Sequence, residues 1–179
     1  MRKRSGMGIN MNQKNIVLIG MPGAGKSTVG VVLAKKLGYA FLDSDLVIQS
    51  REGKLLHEII EAQGVEKFWE IEEEANLAIE GNRTVIATGG SVIYGPRAMD
   101  HLGENGVIVY LKLSCAEIAH RLGDLNERGV TLREGQNLQM LYEERIPFYE
   151  KYANLVIECE NRSIREIVEE IARICVRTT

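Results

Sequence analysis

The sequence predicts an α/β domain, a parallel sheet covered by helices on both faces. Three observations carry that expectation. Short, continuous apolar runs of strand type alternate with longer segments of helical periodicity, as in a sheet buried on both sides. Residues 20–27 read Gly20-Met21-Pro22-Gly23-Ala24-Gly25-Lys26-Ser27, a full match to G-x-x-x-x-G-K-[ST]. Two further polar motifs, Asp43-Ser44-Asp45 and Thr88-Gly89-Gly90-Ser91, follow apolar runs. Strand ends are where open α/β sheets collect their ligands.

Along the chain, residues 1–13 read as a disordered leader with Met11 as an alternative start, and 14–179 as one domain. Asn15–Ile19 is the first strand. Thr28–Leu37 follows as a helix with Val29, Val32, Leu33 and Leu37 on one face, closed by Gly38. Tyr39–Leu42 is a short strand that delivers Asp43 and Asp45. Two acidic helices are expected over 45–62 and 65–80, then a buried strand over Thr84–Ala87. Gly95-Pro96 opens another helix, since proline suits a first turn. Val107–Leu111 is a strand, Ala116–Leu122 a helix, and 123–135 a polar, glycine-punctuated segment with the composition of a lid. Gln136–Tyr152 reads as a long helix kinked or interrupted at Pro147. Leu155–Ile157 is the last strand and Ile164–Cys175 a closing amphipathic helix.

The loop at 20–27 carries the clearest chemistry. Its glycines let successive backbone N–H groups turn inward toward phosphate oxygens. Lys26 brings a mobile cation to the β/γ-phosphates and Ser27 a hydroxyl for Mg²⁺. Asp43 and Asp45, two residues apart at a strand end, project to one side while the backbone stays extended. One carboxylate can serve the metal shell and the other an acceptor hydroxyl; a helix cap at Asp43 or Ser44 is the alternative. The corner at Gly89-Gly90 is either a close backbone approach to a ligand or a turn needing positive φ. Arg128 and Arg133 on the 123–135 segment suit charge stabilisation by a closing loop, or a plain solvated surface.

Composition narrows the class. Formal net charge is −3, and without Arg2, Lys3 and Arg4 the body carries 19 basic against 25 acidic residues, near −6. A body of that charge is not expected to bind nucleic acid. Residues 5–14 hold no apolar signal core, and no run approaches the ~18 apolar residues of a membrane span. Cys115, Cys159 and Cys175 are odd in number and lack C-x-x-C spacing, which points to reduced thiols in the cytoplasm. His57, His101 and His120 are isolated. A guanine-nucleotide switch would need N-K-x-D and D-x-x-G runs, and neither is found.

The order of Lys26-Ser27, Phe41-Leu42-Asp43-Ser44-Asp45, Thr88-Gly89-Gly90 and Arg145-Ile146-Pro147-Phe148-Tyr149 resembles the shikimate kinase family, from about residue 14 to the C-terminus. The resemblance implies a three-layer α/β/α P-loop kinase fold with a five-stranded parallel sheet in order 2-3-1-4-5. It also implies ATP-dependent phosphorylation of the 3-hydroxyl of shikimate, on the route to aromatic amino acids, by a monomer. Carried onto this chain, Gly23, Ala24, Gly25, Lys26, Ser27 and Thr28 bind nucleotide. Ser27 ligates Mg²⁺ and Asp43 supports its water shell. Asp45 holds the acceptor hydroxyls and acts as base, while Gly89 and Gly90 offer N–H groups to the substrate. Arg145 grips its carboxylate, Arg121 flanks adenine and Arg128 is the lid arginine.

The chain departs from the family pattern at three places. A helix usually read G-E-x-x-F-R-x-x-E is here Gly64-Val65-Glu66-Lys67-Phe68-Trp69-Glu70-Ile71-Glu72, with Trp69 where a second carboxylate-binding arginine belongs. The third glycine of the corner is Ser91, and the lid motif R-P-L-L is Arg128-Gly129-Val130-Thr131. Trp69 adds an apolar wall to the acceptor site, so a different small polyol or hydroxy acid is an alternative acceptor. A nucleotide-binding protein without catalysis is the third reading, set against the presence of Lys26 and Asp45.

Overall fold

The computed structural model describes residues 14–123 and 132–176. Its frame is one sheet of five parallel strands: β1 (Asn15–Ile19), β2 (Ala40–Asp43), β3 (Thr84–Ala87), β4 (Gly106–Lys112) and β5 (Leu155–Glu158). The order is β2-β3-β1-β4-β5, as the resemblance implied. Every residue of β1 and β3 is buried, because helices cover both faces of the sheet. In register, Ile16 lies beside Val85 and Val107, and Leu18 beside Ala87 and Val109. The apolar runs of the sequence therefore stack across the sheet into one core.

Among the described residues are eight α-helices: α1 (Lys26–Leu37), α2 (Ser44–Glu52), α3 (Leu56–Gln63), α4 (Val65–Leu77), α5 (Pro96–Asn105), α6 (Cys115–Leu122), α7 (Leu138–Tyr152) and, after the last strand, α8 (Ile164–Val176). α1 packs against α8, α4 against α5, and both α5 and α7 lie against β4. The helix expected over 45–62 is two helices. Gly53, at φ 65°, closes α2 in a left-handed cap and returns its N–H to the Gln49 carbonyl. The next helix ends at Leu77 rather than 80. α7 is continuous from Leu138 to Tyr152 with Pro147 inside it, so of the expected kink or interruption the interruption does not occur. The leader at 1–13 and most of the 123–135 segment lie outside the described residues.

α2, α3 and α4 carry a small core of their own, in which Ile48, Ile59, Phe68 and Ala75 bury one another, with Leu56 and Trp69 packed against them. It is separate from the large core around the sheet.

Candidate active site

The carboxyl ends of β1, β2 and β3 open into one cavity of about 410 Å³. Its lining brings together Gly23, Gly25, Lys26, Ser27 and Thr28 from the phosphate loop, Asp45 from α2, Gly89, Gly90 and Ser91 after β3, and Arg121 from α6. Phe68 and Glu72 of α4 complete one wall.

The loop crosses from β1 to α1. Gly25 stands at φ 90°, a conformation that favours glycine, and sets the start of α1. Partial positive charge at that helix start faces the cavity and favours phosphate. Lys26 is buried, and its Nζ donates to the carbonyls of Gly20 at 2.8 Å and Met21 at 3.0 Å. Burial lowers its pKa to about 8 against the opposing pull of Asp45, Asp43 and Glu72. Ala24 is buried outside the lining, and its N–H is bonded to the Met21 carbonyl within the loop.

Asp43 has two duties. Its Oδ1 accepts from the Asp45 N–H at 3.0 Å and caps α2, while its Oδ2 accepts from Ser27 Oγ at 2.6 Å. The cap and the metal-side role are therefore compatible. Ser27 Oγ and Asp43 Oδ2 are hard oxygen donors beside the phosphate loop. They fit Mg²⁺, which keeps several waters and takes one or two carboxylates with substrate phosphates. Among the described residues no three His, Cys, Asp or Glu side chains gather into an all-protein cage.

Asp45 projects into the cavity with Oδ1 buried and without a hydrogen-bond partner. Burial raises its pKa to about 6, helped by the nearby Asp43 charge and opposed by Lys26. Beside it stands Glu72, a residue to which the sequence reading gave no role. Glu72 is 1% exposed, its Oε1 has no hydrogen-bond partner, and burial raises its pKa to about 7. A Cβ added at Gly89 would lie 2.1 Å from Glu72 Oε1 and 2.9 Å from Asp45 Oδ1. The missing side chain at Gly89 is what lets both carboxylates reach the same space. A glutamate four residues after Phe68, on the buried face of α4, was the available signal, since a buried charge is rarely placed without a use.

The Gly89 N–H, expected to face a substrate, donates to Ser44 Oγ at 3.2 Å in this structure. Gly90 lines the cavity, and its carbonyl accepts from Tyr149 OH at 2.6 Å. Arg145 is 1% exposed and lies behind Gly90 rather than in the lining. Its Nε donates to Tyr94 OH at 3.4 Å and its guanidinium sits 5.4 Å from the Tyr94 ring centre. Trp69 is also outside the lining and stacks on the Tyr94 ring at 4.4 Å between centroids. Arg121 reaches the cavity while paired with Glu117 at 2.7 Å. Arg128 lies outside the described residues.

A phosphate-binding loop, a metal-side hydroxyl and two unpartnered carboxylate oxygens thus share one cavity, the arrangement needed to move a phosphoryl group onto a hydroxyl. The sequence profile described as shikimate kinase matches residues 22–175. A shikimate kinase of Thermodesulfovibrio yellowstonii is 39% identical over 163 residues, 89% of this chain and 94% of its own length. One from Caldanaerobacter subterraneus is 36% identical over 167 residues, 92% of this chain and 97% of its own. The solved shikimate kinase of Acinetobacter baumannii in complex with shikimate superposes with a TM-score of 0.83 at 30% identity, covering 93% of this chain and 94% of that one.

Proposed function

Since the chain belongs to the shikimate kinase family, we propose that its cavity transfers the γ-phosphoryl group of ATP to the 3-hydroxyl of shikimate. The observation that carries the residue roles is Asp45 Oδ1, buried and unpartnered in the same cavity as Lys26. Its raised pKa suits a carboxylate that accepts the hydroxyl proton as the oxygen attacks phosphorus. Lys26 exchanges the carbonyls of Gly20 and Met21 for phosphate oxygens, and Gly23, Gly25 and Thr28 line the phosphate path. Ser27 would hold Mg²⁺, with Asp43 supporting its water shell, and the ion would supply neutralisation of phosphate charge. Arg145 draws the shikimate carboxylate toward Gly90 and Tyr94. Arg121 and Arg128 complete the nucleotide side. No described helix is long and apolar enough to cross a membrane, and we read the protein as a cytoplasmic monomer that does not engage nucleic acid.

The test is direct. Purified protein with ATP, Mg²⁺ and shikimate is expected to release ADP in step with shikimate 3-phosphate, identified by mass spectrometry. Nucleotide hydrolysis without phosphorylated shikimate would overturn the assignment. Light scattering checks the mass of a single 20.0 kDa chain.

A further inference from the structure

Ser91 follows Gly90 at the corner after β3 and lines the cavity. Ser91 is 5% exposed, and its hydroxyl donates to Glu72 Oε2 at 2.5 Å. Three charged groups act on Glu72 from the elements around it: Asp45 from α2, Arg145 from α7 and Lys26 from α1. The carboxylate thus has one oxygen held by Ser91 and the other, Oε1, free in the cavity beside Asp45.

The serine fixes the rotation of this side chain: its hydroxyl donates to Oε2, which holds Oε1 turned toward the space at Gly89 and without a partner of its own.

Resting on the reading of Asp45 as the acceptor-side base, we propose that Ser91 is a positioning residue. It locks Glu72 so that Oε1 receives a second hydroxyl of the polyol acceptor while Asp45 receives the first. The acceptor class this fits is one with two neighbouring hydroxyls on a small ring or chain.

Ser91→Ala, Ser91→Thr and Glu72→Gln, with the double variant Ser91→Ala/Glu72→Gln, test it. A hydrogen bond to a charged group is worth about 10- to 100-fold in binding. Ser91→Ala is therefore expected to raise the KM for shikimate by about 10-fold or more, with the KM for ATP unchanged. The acidic limb of its kcat/KM profile for shikimate moves to higher pH by about one unit as Glu72 more readily holds a proton. Ser91→Thr keeps the hydroxyl and stays near wild type. In the Glu72→Gln background, Ser91→Ala has no further effect, because the serine acts through the glutamate. An unchanged shikimate KM and pH limb in Ser91→Ala, or an equal loss with and without Glu72, would overturn the positioning role. Failure of the wild type to phosphorylate shikimate would overturn the underlying function as well, and is read in the same assay before any variant.

Discussion

Arg133 lies with its guanidinium carbon 5.1 Å from the centre of the Trp69 ring, and the Tyr94 ring centre lies 4.4 Å from the same ring. So short a ring separation leaves no room for a guanidinium between them, so Arg133 occupies the opposite face. Glu144 ties the stack together, accepting from Arg133 at 3.4 Å on one oxygen and from Tyr94 OH on the other. Tyr94 in turn takes the Nε of Arg145. Trp69 and Tyr94 thus stand stacked between Arg133 and Arg145.

The stack predicts a graded response at position 69. The aromatic pair and the cation over the ring are each worth about 0.5–1.5 kcal/mol. Trp69→Ala is expected to raise the shikimate KM by about 10-fold through loosened Tyr94 and Arg145, with the ATP KM unchanged. Trp69→Phe keeps a ring and is expected to stay within about threefold. Steady-state kinetics with each substrate varied in turn checks both.

Removing the base should separate chemistry from binding. Asp45→Asn keeps the shape of the side chain but cannot accept a proton, and general-base catalysis contributes about 10²–10⁴-fold. A fall in kcat of that size is expected, with ATP affinity by titration calorimetry held within a few-fold.

Gly89→Ala places a methyl group 2.1 Å from Glu72 Oε1, and nothing on the nucleotide side has to shift. Glu72 must swing away, and Asp45 Oδ1, 2.9 Å from the same point, must give as well. Shikimate turnover is expected to drop by about 10-fold or more while nucleotide binding is kept, with a stability loss of about 1–3 kcal/mol from overpacking. Denaturant unfolding and the coupled assay read the two effects separately.

Burial raises the pKa of Glu72 from 4.5 to about 7, so the folded protein holds a proton there that the unfolded chain releases at lower pH. The stability from that protonated group is complete below about 4.5 and is lost as pH rises through about 7. Glu72→Gln removes the cost of the buried charge. Its melting temperature is expected to exceed that of the wild type at pH 8 by more than at pH 5, as differential scanning calorimetry would show.

Much of this was legible because local chemistry is written locally. β3 runs over Thr84–Ala87 as expected, and β4 exceeds its expected span by one residue at each end. The break at Gly53 was missed because a lone glycine in a polar, acidic stretch is compatible with one helix or two, and packing among Ile48, Ile59 and Phe68 decides between them. The strand order came with the family resemblance, since pairing between strands far apart in the chain leaves no periodic trace. At the site, Lys26, Ser27, Asp43 and Asp45 followed from spacing. The bond from Gly89 N–H to Ser44, 45 residues away, and the inward aim of Glu72 arise only when α2 and α4 meet the chain that follows β3.

The separate small core of α2, α3 and α4 bears on how such a protein changes over generations. Trp69 is packed against that cluster, and Ser91 reaches α4 through Glu72, so the contacts of both side chains described above lie with α4 and its neighbours. A change confined to that small cluster leaves the large core around the sheet as it is. Selection for a new alcohol has a place to act that leaves the phosphate loop intact.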